Sequence, residues 1–289
     1  MTIVQRIDNA LNRAIDHATA NGCPPRFADA LQYAVFSGGA RVRPRLCLAV
    51  ASACGDDDPM AANAAAAAIE LMHCASLVHD DLPCFDNAEL RRGKPSVHKA
   101  YGEPLAVLVG DALIVLAFET LGRDAARHPE RLTRLLLTIG RCVGAPYGIC
   151  AGQAWESEPI IVLEDYQRAK TGSLFVAATS TGAAAAGADP KPWQILGERL
   201  GEAYQVADDL RDALLSPQEL GKPACQDETL GRPNATIELG VDGAVGRLQD
   251  LIHDAVGSIP DCPGAAQLRE LVMLEVKRLV PKKHMTVAA

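Results

Sequence analysis

A chain of 289 residues, 48% hydrophobic but only 4% aromatic, can bury a sizeable core as one large domain or two small ones, built mainly from small aliphatic side chains. Its formal net charge of -8 excludes a nucleic-acid binder resting on clustered basic residues. Nine cysteines, an odd number scattered without CxxC pairs, exclude a disulfide framework and point to reduced thiols in the cytoplasm.

The opening MTIVQRIDNALNRAIDHA carries charge throughout, so it reads as an amphipathic helix rather than a signal peptide. Val4, Ile7, Leu11, Ala14 and Ile15 form one stripe over residues 3–20, and Asn21-Gly22 with Pro24-Pro25 stops the helix. A second helix is predicted from Arg26 to Phe36. The stretch SGGARVRPRL follows, with Arg41, Arg43 and Arg45 beside a glycine pair and Pro44 near the start of the next helix. Glycines let backbone approach a ligand and arginines grip phosphate with two donors, but a turn before a solvated basic helix start fits equally well. The three aspartates of ACGDDDPM resemble a metal site, yet their place before Pro59 predicts a loop capping an alanine-rich helix.

That helix runs into ELMHCASLVHDDLPCFDNAELRRGKP. Leu71, Cys74, Ala75, Val78 and Leu82 recur at helical spacing as a buried face, which ends in Asp80 and Asp81, meets Pro83, and reaches Asp86 before Arg91, Arg92 and Lys94. Adjacent carboxylates repel unless protons or a cation compensate, and Mg²⁺, which takes oxygen ligands and shares its shell with phosphate, suits them. On an ideal helix Asp80 and Asp86 would lie about 240° apart, so the chain must leave the helix near Pro83 for Asp86 to turn back.

Residues 104–122 and 130–154 are predicted as buried helices, with Gly110 and Gly152-Gln153 permitting close approach. PLAVLVGDALIVLAF is interrupted by Gly110 and Asp111, so no transmembrane segment is expected. Lys170 and Thr171 open a small-residue run; a lysine there ordinarily snorkels. In YQVADDLRDALLS, Asp208 and Asp212 fall within roughly 40° on one helix face, with Asp209 beside them. The two acidic clusters could then face one cavity. Lys222 and Asp227 lie in a Gly/Pro-rich loop, and Leu268, Leu271, Val272, Val276 and Leu279 mark a terminal packing helix. No tandem repeat or linker marks a second domain.

At these residues the chain resembles the trans-isoprenyl diphosphate synthases, or polyprenyl synthetases, over nearly its whole length. Asp80-Asp81-Leu-Pro-Cys-Phe-Asp86 with Arg91-Arg92-Gly93 matches the first aspartate-rich motif in its bacterial form, and Gln205 with Asp208-Asp209-Leu-Arg-Asp212 matches the second. Terpene cyclases share one such motif, but they carry an Asn/Ser/Glu metal motif in place of the second. The stretches SGGARVRP, LMHCASLVHDDLP, NAELRRGKPS and CAGQAWES are most similar to geranylgeranyl diphosphate synthases of bacterial carotenoid biosynthesis.

The resemblance implies an all-α, single-domain helical bundle with a central active-site cavity, usually a homodimer. It implies head-to-tail prenyl transfer from an allylic diphosphate (dimethylallyl, geranyl or farnesyl) to isopentenyl diphosphate. Asp80, Asp81, Asp86, Asp208, Asp209 and Asp212 would hold metal, three Mg²⁺ in the family. Arg91, Lys170, Thr171 and Lys222 would serve the allylic diphosphate, Arg43, His73 and Arg92 the isopentenyl diphosphate, and Gln205 would also be substrate-binding. The family lysine of the glycine-arginine stretch is Ala40 here, and Arg41 is the candidate to replace its charge; a regulatory, non-catalytic subunit is the reading this departure leaves open. Product length is expected to follow Ala75 and Ser76, about one helical turn below Asp80, with Leu105 and Leu108 as candidate floor residues. Bacterial farnesyl synthases commonly carry an aromatic at the place of Ala75. The small side chain here predicts the longer C20 product, with a farnesyl synthase as the alternative.

Overall fold

The computed structural model describes residues 1–56, 58–214 and 234–277, and these are helical apart from one short hairpin. They resolve into two compact units: Met1–Ile139 with Thr181–Asp189, and Gly140–Ser180 with the chain from Pro190 onward. Lys222, Asp227, Arg232 and Leu279 lie outside the described residues.

The first unit is assembled on one helix. After α1 (Ile3–Ala18), α2 (Pro25–Phe36) and α3 (Val42–Cys54) comes α4 (Pro59–Asp80), against which α1, α2 and α3 all pack. Asp58 caps α4 as expected, its carboxylate accepting from the N–H groups of Met60 at 3.1 Å and Ala61 at 3.3 Å. Six alanines, Ala61, Ala62 and Ala65 to Ala68, are all at 0% exposure, so neighbouring backbones approach closely with little side-chain entropy lost. On α1 the predicted stripe is buried except at Val4, which is half exposed because it lies in the first helical turn, short of the packed face. Thr2 closes that helix with a reciprocal capping box to Gln5.

Beyond α4, the strands β1 (Leu90–Arg91) and β2 (Lys94–Pro95) pair antiparallel, and α5 (Val97–Tyr101) leads into α6 (Glu103–Asp124), which packs along α4. α6 is not buried all round. Leu108 is 53% exposed and Val115 65%, because α4 covers only one side of the helix, so Leu108 does not sit in an interior as a floor residue should. By length and composition alone α4 and α6 could each cross a membrane, but 78% of the apolar window of α4 is buried inside its unit, against 44% for α6.

The predicted helix over 130–154 is two helices. α7 (Pro129–Val143) ends before Gly144, the Ala145-Pro146 peptide is cis, and α8 (Ile149–Ala154) starts afresh, since proline cannot continue the helical hydrogen bonding. In the second unit α9 (Leu163–Gln167) passes into one π-helical turn, Arg168–Gly172, and then α10 (Ser173–Ala185), whose last residues belong to the first unit. α11 (Gln194–Leu214) packs on α12 (Ala235–Gly257) through Ala203, Val206, Ala207 and Leu210 against Ala244, Leu248 and Leu251. Truncating a fully buried leucine there, such as Leu248, would cost about 2–5 kcal/mol. α13 (Ala265–Lys277) ends the described chain with Leu268 and Val272 buried.

Candidate active site

In the first unit the acidic turn forms where α4 ends. Asp81 is the C-cap, and the chain then folds back so that the Asp86 N–H donates to the Asp80 carbonyl at 3.0 Å. This is the departure from helix that Pro83 predicts, and it roots Asp80 and Asp86 in one turn. Asp81 is turned elsewhere: it is 2% exposed, and both its oxygens accept from Arg91, the Nε at 3.0 and 3.2 Å and the Nη2 in a short contact. Burial pushes the Asp81 carboxyl above its usual range, against the pull of Arg91. In this structure the Asp81 carboxylate is engaged by Arg91, while Asp80 and Asp86 share the turn. Arg91 in turn lies 3.9 Å from Asp80.

The fields of four arginines act on one histidine, His73. Arg43 Nη1 is 3.5 Å from His73 Nε2, and burial followed by the fields of Arg43, Arg92, Arg91 and Arg41 drives the imidazole well below the ordinary histidine range. A neutral ring among cations is what a phosphate-binding corner requires when no anion is bound. Arg92 donates to the Gly38 carbonyl, so the basic residues after the acidic turn reach the glycine pair before α3. Arg41 has an internal partner. In left-handed backbone at φ 50°, it directs Nη1 to Glu70 Oε1 at 2.5 Å and Nη2 to the Val35 carbonyl at 2.5 Å. Glu70 is 1% exposed, so this cation has an internal counter-ion, while its field still reaches His73. Ala75 is 1% exposed on the buried face of α4, and Ser76 bonds back to the His73 carbonyl at 2.8 Å.

The second unit presents the π turn. Gly152 of α8 lies so close that a Cβ there would meet the Lys170 backbone nitrogen at 2.4 Å, and one on Gly201 of α11 would meet Gly172 Cα at 2.7 Å. Both neighbours must be side-chain-free for the turn to sit between them. Lys170 Nζ donates to Glu156 Oε1 at 2.5 Å, the same oxygen accepts from Tyr166 Oη at 2.7 Å, and Gln153 Nε2 donates to Glu156 Oε2 at 2.8 Å. Glu156 lies in the CAGQAWES stretch, but the sequence assigned it no role, because its partners Tyr166 and Lys170 lie 10 and 14 positions away. Thr171 Oγ1 donates to Gln205 Oε1 at 3.0 Å. On α11, Asp209 is 2% exposed and Asp212 buried, while Asp208 is half-buried.

A cavity of about 850 Å³ also opens within the second unit, where Gln205, Val206 and Asp209 of α11 line it together with Arg199, Glu202 and Arg247, and Arg199 and Arg247 both donate to Glu202 at 3.0 Å. Among the described residues no three His, Cys, Asp or Glu side chains converge to hold a metal ion by themselves. The aspartates of the two motifs are nonetheless all-oxygen donors, the set that suits Mg²⁺ completing its shell with phosphate and water.

The polyprenyl synthetase family profile matches residues 24–267. The chain belongs to that family. It is 57% identical to the geranylgeranyl diphosphate synthase of Cereibacter sphaeroides over 281 residues, covering 97% of this chain and 98% of the other. Against the geranylgeranyl diphosphate synthase of Rhodobacter capsulatus the identity is 53%, with 97% of each chain covered. The crystal structure of an FPP/GFPP synthase from Zymomonas mobilis superposes with a TM-score of 0.80 at 30% identity, covering 95% of this chain and 97% of that one. The isoprenoid synthase fold is therefore common to proteins named for different products, and within this polyprenyl synthetase the length of the product must be argued from its own residues.

Proposed function

We propose that this polyprenyl synthetase is a geranylgeranyl diphosphate synthase, joining an allylic diphosphate, farnesyl in the last round, to isopentenyl diphosphate and releasing the C20 product with diphosphate. The observation that carries this reading is the end-to-end likeness to two synthases of that name. The small Ala75 below the acidic turn supports it, since no aromatic ring stands there to close a prenyl site early.

In this mechanism Arg43, His73 and Arg92 hold the isopentenyl diphosphate, and Arg91, Lys170, Thr171 and Gln205 the allylic one, with Lys222 assigned to the same group by resemblance. Asp80, Asp86, Asp208 and Asp212 would hold Mg²⁺, three ions by family resemblance, which supplies neutralisation of the charge that gathers on the departing diphosphate. The C–O bond of the allylic substrate breaks, and the double bond of isopentenyl diphosphate attacks the freed allylic carbon. The proton then lost from the adjacent carbon goes to the released diphosphate. The chain's own contribution is to orient both phosphates with preset cations and to screen the cation from water with apolar helix faces. We further read the protein as a homodimer, which the exposed Leu108 and Val115 on α6 support, and as cytoplasmic, which the buried thiols of Cys47 and Cys74 support.

One observation favours a second reading, a regulatory subunit needing a partner: Ala40 stands for the family lysine, and Arg41 is tied to Glu70. A single experiment tests both. The purified chain, with Mg²⁺, farnesyl diphosphate and isopentenyl diphosphate, should yield geranylgeraniol after dephosphorylation. Only C15 alcohol would overturn the C20 assignment, and turnover confined to mixtures with a second prenyl synthase chain would favour the regulatory reading.

A further inference from the structure

The second acidic motif offers three aspartates, and the resemblance treats them alike, yet Asp209 is placed unlike its neighbours. It is 2% exposed, and each oxygen accepts from a different N–H: Oδ1 from Gln205 Nε2 at 3.0 Å, Oδ2 from the Ala235 backbone at 2.8 Å. Ala235 is the first residue of α12, whose next N–H, that of Thr236, is capped by Asn234 Oδ1 at 2.8 Å. Two residues thus satisfy the first two donors that a helix leaves without an internal partner, and the carboxylate lies where the helix dipole favours negative charge. On its other side the network continues, since the Gln205 amide that donates to Asp209 accepts from Thr171 Oγ1 at 3.0 Å. Thr171 belongs to the π turn that carries Lys170.

We propose that Asp209 is a positioning residue rather than a metal ligand: through Gln205 it fixes Thr171 and the lysine-bearing turn, and through Ala235 it anchors α12. The line Thr171 to Gln205 to Asp209 to Ala235 orients each group by the next. Donation to Asp209 fixes which end of the Gln205 amide faces the turn, and the carbonyl end so presented holds the threonine hydroxyl. This inference rests on the prenyl-transfer reading for what the turn binds, but not for the network itself.

The test compares Asp209→Asn, Asp209→Ala, Gln205→Ala and Asp208→Asn. In Asp209→Asn the remaining carbonyl can accept from Ala235 and the new amide can donate to a flipped Gln205, so the network is rewired rather than emptied. The Mg²⁺ concentration giving half-maximal rate is expected to stay within about twofold of wild type in Asp209→Asn and to rise tenfold or more in Asp208→Asn. Metal-free thermal unfolding should show a lowered Tm in Asp209→Ala and no change in Asp208→Asn. The KM for the allylic diphosphate should rise by a similar factor in Asp209→Ala and Gln205→Ala and no further in the double variant, while the KM for isopentenyl diphosphate holds. If Asp209→Asn shifts the Mg²⁺ requirement as far as Asp208→Asn does, with metal-free Tm unmoved, Asp209 is a ligand and the proposal fails. If the wild type itself does not turn over, the prenyl-transfer reading is at fault, while the metal-free Tm still decides whether Asp209 anchors α12.

Discussion

Asp81 and Arg91 form a two-pronged ion pair in which both oxygens of a buried carboxylate face one guanidinium. The pair joins the C-cap of α4 to strand β1, and so fixes the basic residues of the hairpin relative to the acidic turn. Removing the carboxylate in Asp81→Ala should lower stability by about 1–3 kcal/mol, because the half-buried guanidinium loses its partner. Arg91→Lys should not restore wild-type activity, since an ammonium cannot supply two parallel donors. Thermal unfolding and initial rates decide; a lysine variant with wild-type behaviour would refute the geometric argument.

Glu70 should matter to stability although it is remote from the acidic turn. Glu70→Ala leaves Arg41 buried without its counter-ion, and about 3–5 kcal/mol is expected for breaking such a pair. Replacing both partners together, Arg41→Met with Glu70→Leu, should recover most of that loss. A double variant no more stable than Glu70→Ala alone would show that the pair is not the cause.

Glu156 is expected to set the resting place of Lys170. Glu156→Gln keeps the shape and can still accept from Tyr166, but it removes the charge that holds the ammonium. The KM for the allylic diphosphate should change severalfold, with the KM for isopentenyl diphosphate constant and Glu156→Asp closer to wild type. Equal shifts in both constants would count against the assignment.

His73 carries a pH signature. Its folded-state value is depressed, so as pH falls below the ordinary 6.5 the unfolded chain takes up a proton that the folded protein refuses. Its contribution to stability is therefore lost as pH falls from about 6.5 toward the depressed value. His73→Gln should flatten the decline in Tm between about pH 7 and pH 5.5. Parallel curves for the two proteins would contradict it.

Ala75→Phe should shorten the product from C20 to C15. Because Ala75 is only 1% exposed, the ring must also displace packed neighbours, at about 1–3 kcal/mol. A destabilised enzyme that still makes C20 would remove Ala75 from the control of chain length.

The helical class and both acidic motifs were legible because their chemistry is concentrated: carboxylates at helical spacing, or adjacent and followed by arginines, have few other uses. The fold-back at Pro83 and the Asp58 cap were legible for the same reason, each being a local matter of backbone geometry. The break between α7 and α8 was missed since the apolar pattern continues through it, although Ala145-Pro146 was the available signal. The Arg41–Glu70 pair was not legible because the two residues lie 29 positions apart, beyond the reach of any spacing argument. The hold of Asp209 on Ala235 depends on α12, which nothing in the motif itself encodes.

The alanine paving of α4 has a mechanical consequence. A rod seated by direct backbone proximity has no rotamers to shift, so it serves as a ruler. His73 stands seven residues before Asp80, which at 1.5 Å per residue sets them roughly 10 Å apart along the axis. On the proposed reading that interval separates the two pyrophosphate grips, and it stays constant while the growing hydrocarbon lengthens through successive additions.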